Sequence, residues 1–224
     1  MHVIYLAGGI ASGKSTISKT LQECGAVRID LDDLSREALA ADSPILPQIM
    51  AEFGDDILNP AGSVKRELLA QRAFSSTERA VTLEEIELPL IDKLLRERIA
   101  ELADQEREER EANPTAAEKV VVVEVPLLDR MRGSFDLADE IIGVVCPLSA
   151  RRARAGQRGM DPRDFNRRVD QQPSEAYIRA HCSHVFNNIR TADVMAQEVR
   201  DWWAQRVEQG WENVPKRGAR GARA

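Results

Sequence analysis

Cysteine is scarce in this 224-residue sequence, and long hydrophobic runs are absent. The three cysteines, Cys24, Cys146 and Cys182, show neither paired nor metal-type spacing. This argues against a disulfide framework and predicts free thiols in a reducing cytoplasm. His181 and His184 flank Cys182, but no second pair of ligands accompanies them, which favours a structural role over zinc binding.

Basic residues are also fewer than acidic ones. The net charge is −6 and the pI is about 5.3, which argues against a general nucleic-acid-binding or membrane-surface protein. No apolar run approaches the roughly 20 residues of a membrane-spanning helix. The chain reads directly into a predicted strand at residues 3–6, so we expect no secretory signal peptide. The length predicts one α/β domain with insertions, and 43% hydrophobic residues are enough for its core.

The most specific motif is G-x-x-x-x-G-K-S, formed by Gly8, Gly13, Lys14 and Ser15. An apolar segment precedes it and a helical pattern follows it, which is the context that the motif requires. Glycines let backbone N–H groups surround an anion, and the helix dipole adds positive charge. Lys14 supplies a cation for the β- and γ-phosphates, and Ser15 places a hydroxyl on Mg²⁺. The motif predicts binding of a nucleoside triphosphate such as ATP. The predicted nucleotide-binding residues of the loop are Gly8, Gly9, Ile10, Ala11, Ser12, Gly13, Lys14, Ser15 and Thr16.

Aspartates follow the second predicted strand, residues 26–29. They are Asp30, Asp32 and Asp33. Because ligands of open parallel sheets bind beyond the carboxyl ends of the strands, this acidic cluster is expected to face the phosphates. An alternative interpretation is that one of the aspartates caps the following helix.

Three further strands are predicted at residues 119–128, 140–146 and 184–186. The first contains Glu124 within a run of valines, as expected for a buried parallel strand. Between the strands predicted at residues 26–29 and 119–128, residues 34–112 are predicted to be almost wholly helical. One helix is expected to open at Ser43-Pro44, and a second, long helix at Pro89 after a break. The charged stretch 96–118 is interpreted as a solvated helix extension.

Arginine is concentrated between residues 149 and 179. Arg151, Arg154 and Arg158 fall at helical spacing, so they can share one face. Guanidinium groups suit phosphate contacts, so this segment is interpreted as a lid that stabilises charge over the loop. The alternative is a solvated helix with internal ion pairs.

Several segments follow one family pattern in order and spacing. AGGIASGKST is similar to T-G-G-I-G-S-G-K-S/T, and IDLDDLSRE to V-I-D-A-D-x-x-A-R. SPILPQIMAEFGDDIL and AGSVKRELLAQRAF follow its helical segments, LPLI resembles H-P-L-I, and VEVPLL resembles V-D-V-P-L-L. Arg154, Arg158, Gln172 and VFNN follow its lid and its V-I-D-N end. Over nearly the whole chain, the sequence resembles the dephospho-CoA kinase family.

The resemblance implies that ATP phosphorylates the ribose 3′-hydroxyl of dephospho-CoA. It implies a three-layer α/β/α P-loop core with a five-stranded parallel sheet, a helical substrate-binding insert and an arginine-rich lid. Asp32 would be the general base or a Mg²⁺ partner beside Ser15. Lys14 would keep its loop role, Arg154 and Arg158 would clamp phosphates, and Asn188 would lie near the adenine.

The implied domains are a core of residues 1–33, 119–148 and 181–210, a helical acceptor domain of 34–118 and a lid of 149–180. Residues 211–224 are predicted to form a disordered basic tail. We expect a monomer or weak homo-oligomer in the cytoplasm, with ATP and dephospho-CoA as partners and neither nucleic acid nor membrane.

The sequence departs from the family pattern at four positions. Leu88 stands where the family has histidine, and Arg130 where it has glutamate. Ala7 replaces a threonine, and Ala11 replaces a loop glycine, which the loop accommodates if the φ angle of Ala11 is negative. Two other functions therefore stay open: another P-loop kinase of nucleotides or small metabolites, and a nucleotide-binding regulatory protein that has lost catalysis.

Overall fold

A parallel five-stranded sheet forms the centre of the unit that contains residues up to Asp30 and those from Gln105 onward. The computed structural model describes residues 1–213. The strands pair in the order β2-β3-β1-β4-β5, and every pairing is parallel. The strands are β1 (His2–Gly8), β2 (Val27–Asp30), β3 (Val120–Val125), β4 (Glu140–Val145) and β5 (His184–Asn187). The predicted parallel sheet is confirmed.

The helices of the described residues are α1 (Lys14–Glu23), α2 (Leu31–Ala38), α3 (Leu46–Phe53), α4 (Arg66–Ala73), α5 (Thr77–Ala112), α6 (Leu148–Gln157), α7 (Pro162–Asp170), α8 (Glu175–His181) and α9 (Ala192–Gln209). Those that pack against this sheet include α1 and α9 on one face and α8 on the other. Ile17 of α1 and Val199 of α9 belong to one core cluster with Ile4 of β1. On the opposite face Gly143 of β4 lies against Ile178 of α8. The three central strands are fully buried, which explains their near-continuous apolar sequences.

The chain divides into two units. The first contains residues up to Asp30 and those from Gln105 onward, and the second is Leu31–Asp104. The second unit has its own apolar cluster, which includes Ile49, Phe53 and Leu69. Its bounds differ from the predicted acceptor domain, 34–118. Residues after Gln105 join the first unit because Glu106 is buried and lies 2.6 Å from the amino group of Met1.

Two predicted helix starts are wrong. The helix expected at Ser43-Pro44 begins at Leu46, because the Ser43 hydroxyl donates to the Ala38 carbonyl at the end of α2 instead of capping α3. No break occurs at Pro89, which lies inside the continuous 36-residue helix α5. No helix among residues 1–213 is long and apolar enough to cross a membrane.

The chain end differs from the predicted tail. Trp211–Asn213 form a 3-10 helix, and Trp211 is buried with Trp202 in the core of the first unit. Apolar burial of an indole orders this turn, so the assignment of 211–213 to a disordered tail is wrong. Residues 214–224 lie outside the described residues.

Candidate nucleotide-binding site

The glycine loop joins the end of β1 at Gly8 to the start of α1 at Lys14. Gly13 precedes α1 with φ +111°, a left-handed conformation that glycine adopts without strain. The Lys14 ammonium donates to the carbonyl oxygen of Gly8 at 2.6 Å, which holds the side chain across the loop. Ser15 is exposed in the first turn of α1. The loop therefore combines a helix N-terminus, a cation and a hydroxyl, which together suit a nucleotide phosphate.

Asn188 holds the far side of the loop. Its side-chain amide is buried and donates to the carbonyl oxygen of Ser12 at 2.7 Å. A Cβ at position 13 would overlap this amide nitrogen, so Gly13 is required for space as well as for its φ angle. Arg154 donates to the Asn188 side-chain oxygen at 3.2 Å and lies 3.4 Å from the sulfur of Cys146.

Two residues from the lid segment contact the outer part of the loop. Arg151 of α6 donates from Nε to the carbonyl oxygen of Ile10 at 2.8 Å. Gln172, just beyond α7, accepts from the Ile10 N–H at 2.6 Å. The Arg151 guanidinium lies directly against Gly9, where a Cβ would overlap it. Arg158, which the sequence predicts to be a phosphate clamp, is exposed at the end of α6.

Ala11 does not meet the condition of a negative φ angle under which the loop would accommodate alanine without strain. Its φ is +56°, and within residues 1–213 it is the one non-glycine residue with a positive φ. The left-handed conformation costs a non-glycine residue about 1–2 kcal/mol because Cβ approaches the following carbonyl oxygen. The loop thus keeps the conformation of a glycine-containing loop while an alanine occupies the position.

A buried polar network connects α1, which follows the loop, with β2 and β3. Glu124 of β3 is almost fully buried, and it accepts from the Ser18 hydroxyl of α1 at 2.5 Å and from Arg28 at 2.6 Å. Arg28 also lies 2.6 Å from Asp30 at the end of β2. Burial alone would lower the pKa of Arg28, but the two carboxylates raise it above its ordinary value. The network fixes α1 relative to β2 and β3.

Asp32 is exposed in the first turn of α2, two residues beyond the end of β2. Its neighbour Asp33 forms a surface ion pair with Arg36. Within residues 1–213 no group of three or more His, Cys, Asp or Glu side chains could hold a metal ion. Mg²⁺ commonly binds through one or two protein oxygens, several waters and the substrate phosphates. The exposed Ser15 hydroxyl fits such a mode, in which the ion arrives with the nucleotide.

A cavity of about 330 Å³ lies within the second unit. Its lining includes Leu39, Phe74 and Leu83 together with Ser35, Arg66 and Glu87. The Ser35 hydroxyl lies 3.4 Å from the Glu87 carboxylate. Burial raises the pKa of Glu87 to about 7, more than Ser35 and Arg66 lower it, and nearby Glu84 adds to the rise.

A family model described as dephospho-CoA kinase matches residues 2–193. The chain belongs to the dephospho-CoA kinase family. Dephospho-CoA kinases of Corynebacterium diphtheriae and Corynebacterium jeikeium are 33% and 35% identical to it over 204 residues. These alignments cover 91% of this chain and 96% and 98% of the relatives.

Solved structures share the fold. A Thermus thermophilus protein has a TM-score of 0.69 at 24% identity, covering 91% of this chain and 97% of that one. The dephospho-CoA kinase from Campylobacter jejuni has a TM-score of 0.60 at 19% identity, covering 91% and 96%. The fold predicted from the sequence is therefore confirmed.

The structure brings together most of the residues predicted for the dephospho-CoA kinase site. Lys14, Ser15, Arg154 and Asn188 all lie at or next to the loop. Sequence reasoning missed the contacts that Arg151 and Glu124 make with other elements. Helical spacing had placed Arg151 on one face with Arg154, but spacing alone does not reveal which arginine reaches the loop. Among the departures from the family, Arg130 lies 3.5 Å from Asp129.

Proposed function

We propose that this chain transfers the γ-phosphoryl group of ATP to the ribose 3′-hydroxyl of dephospho-CoA, giving CoA and ADP. The observation that carries the proposal is a complete strand–loop–helix phosphate site in a chain that belongs to the dephospho-CoA kinase family. ATP and dephospho-CoA are the partners. The net charge of −6 supports action without nucleic acid or a membrane surface. We place the chain in the cytoplasm, as a monomer or weak homo-oligomer.

The loop residues bind the donor. Backbone N–H groups between Gly8 and Thr16 and the start of α1 receive the β-phosphate, and Lys14 leaves the Gly8 carbonyl to neutralise the β- and γ-phosphates. Asn188 keeps the loop in position through Ser12 and stands on the side proposed for the adenine. Arg154 and Arg158 supply positive charge from the lid segment.

Ser15 and Asp32 would hold Mg²⁺, which neutralises phosphate charge when bound. Asp32 is also proposed to accept the proton of the attacking hydroxyl. The ribose oxygen forms a bond to the γ-phosphorus as the bond to the β,γ-bridging oxygen breaks, and ADP leaves. Positioning and charge neutralisation supply most of the rate acceleration in this kind of transfer.

The test is a coupled ADP-release assay with ATP and dephospho-CoA, compared with nucleoside monophosphates and sugars as acceptors. We expect turnover only with dephospho-CoA and a product phosphorylated at the 3′-position. Turnover with a different acceptor would favour another small-metabolite kinase. ATP binding with no turnover of any acceptor would favour the regulatory alternative.

The roles of single residues are tested in the same assay. Asp32→Asn should lower kcat by about 10²–10⁴-fold, the usual contribution of a general base, while ATP affinity changes little. Asp33→Asn is the matched control, because Asp33 is a neighbouring exposed carboxylate paired with Arg36, and it should retain normal turnover. Lys14→Ala should weaken ATP binding and abolish measurable turnover. Near-normal kcat in Asp32→Asn would remove Asp32 from the mechanism.

A further inference from the structure

The peptide groups of Ile10 are held from two sides. Gln172 accepts from its N–H at 2.6 Å, and Arg151 donates to its carbonyl oxygen at 2.8 Å. Arg151 also donates to the Gln172 side-chain oxygen at 3.2 Å, so the two side chains support each other. These contacts span 141 and 162 residues of sequence. Both polar groups of one loop residue are therefore fixed by the segment between β4 and β5.

The guanidinium of Arg151 is in an unusual environment. It is half-buried against Gly9, and it donates to neutral oxygens of Ile10 and Gln172. Burial lowers its pKa below the ordinary value, while Cys146 and Glu175 oppose the shift more weakly. Placing a cation there costs free energy, which is offset by neutral oxygens of the loop and of Gln172. The contact with the loop is therefore made despite the cost of desolvating the guanidinium.

The residue after Ile10 is the strained Ala11, with φ +56°. Such conformations persist only where the surrounding structure determines them. The backbone on the C-terminal side of Ala11 is fixed through Ser12, whose N–H donates to Gly9 and whose carbonyl accepts from Asn188. The backbone on its N-terminal side is fixed through Ile10. The two sets of contacts together bracket the strained residue.

We propose that Arg151 and Gln172 are positioning residues for nucleotide binding: they clamp Ile10 and so hold Ala11 in the left-handed conformation that the phosphate loop requires. The inference rests on the proposed function in one respect: it requires that a nucleotide bind in this loop. A glycine at position 11 would adopt the left-handed conformation without strain and without the help of Arg151 and Gln172. The contribution of these two side chains to nucleotide affinity should therefore be large with alanine at position 11 and small with glycine.

The first experiment measures ATP affinity by equilibrium titration without any acceptor. Gln172→Leu keeps a similar size but loses the oxygen that accepts from Ile10 and Arg151, and we expect about five- to tenfold weaker binding. Gln172→Glu retains acceptor oxygens and should stay within about twofold of the parent chain. Arg151→Met should resemble Gln172→Leu. Gln171→Leu is the matched control at the adjacent position and should leave affinity unchanged.

The second experiment repeats Gln172→Leu in an Ala11→Gly background. Because glycine adopts a positive φ without strain, the loss of affinity should shrink to less than about twofold. Equal losses in the two backgrounds, or no loss in either, would overturn the proposal. Thermal unfolding midpoints of all variants identify any loss of affinity that reflects unfolding. A chain that binds ATP but phosphorylates a different acceptor would refute the proposed acceptor and leave this test intact.

Discussion

Glu87 lies on α5 beside the cavity of about 330 Å³ in the second unit. Burial is the main cause that raises the pKa of Glu87 to about 7, and Glu84 contributes, whereas Ser35 and Arg66 oppose the rise. In the unfolded chain the pKa of a glutamate is close to its ordinary value of about 4.3. The folded chain thus binds a proton at this position more tightly than the unfolded chain does.

This difference predicts a pH dependence of stability. Between about pH 4.3 and 7 the folded state carries more protons at Glu87, so the free energy of unfolding falls as pH rises through this window. Glu87→Gln removes the ionisation and should stabilise the chain by about 1–3 kcal/mol at pH 8 while changing little at pH 5. Urea unfolding at the two pH values measures the effect. The exposed Glu97→Gln on the same helix is the control and should behave alike at both pH values. An equal effect of Glu87→Gln at pH 5 and pH 8 would contradict an elevated pKa.

Single residues of the loop illustrate what sequence can predict. The motif was sufficient to place Lys14 and Ser15 in the first turn of the helix that follows the loop, because their positions relative to Gly13 follow from local backbone geometry. The positive φ angle of Ala11 could not be predicted, because residue preference favours a negative φ and the contacts that bracket Ala11 come from residues far along the chain. The contact of Arg151 with the Ile10 carbonyl oxygen could not be predicted for the same reason.

At the scale of elements, α5 departs most clearly from the sequence-based expectation. Proline lacks an N–H and its ring collides with the preceding turn, so a break at Pro89 was the expected outcome. The helix nevertheless continues from Thr77 to Ala112. Ile91 and Leu95 on the following turns are buried, while Pro89 itself is exposed. Apolar packing on one face of α5 therefore outweighs the local cost of the proline.

Pro89→Ala tests this balance. Alanine restores the missing backbone donor and removes the steric conflict, which is worth about 3 kcal/mol in a helix interior. Alanine also gives the unfolded chain more conformational freedom, which offsets up to about 1 kcal/mol. We expect the free energy of unfolding to rise by about 1–2 kcal/mol in urea titrations. Lys93→Ala, at an exposed position on the same helix, should change it by less than about 0.5 kcal/mol. A decrease for Pro89→Ala would indicate that the backbone of α5 near Pro89 is shaped around the proline.

At the scale of the whole molecule, the number and direction of the strands could be predicted, but the long-range polar contacts that join them could not. Buried runs such as Val120–Val125 are recognisable because both faces of a parallel strand are covered. The sequence does not show that Glu140, at the start of β4, meets Arg206 near the end of α9, 66 residues later. Such pairs depend on the complete topology.

Glu140 joins several elements of the first unit through buried polar contacts. Its side chain is 1% exposed and accepts from Arg206 at 2.6 Å and from Ser183 at 2.5 Å, with His2 3.9 Å away. Burial alone would raise the pKa of Glu140, but His2, Ser183 and Arg206 together lower it below the ordinary value. A lowered pKa in the folded state contributes stability above the unfolded pKa. That stability is lost as pH falls through the folded pKa.

Glu140→Gln should therefore reduce the free energy of unfolding at pH 7 by about 2–4 kcal/mol, because the buried end of Arg206 loses its anionic partner. The difference from the parent chain should shrink as pH falls below about 4.3, where protonation removes the same carboxylate charge from the parent. Urea unfolding at pH 7, 5 and 3.5 measures both effects. Glu198→Gln, which alters a more exposed carboxylate of α9 that lies 3.9 Å from Arg190, should cost less than about 1 kcal/mol at every pH. A Glu140→Gln difference that stays constant from pH 7 to 3.5 would show that the charge of Glu140 does not stabilise the fold, and that the substitution acts through packing alone.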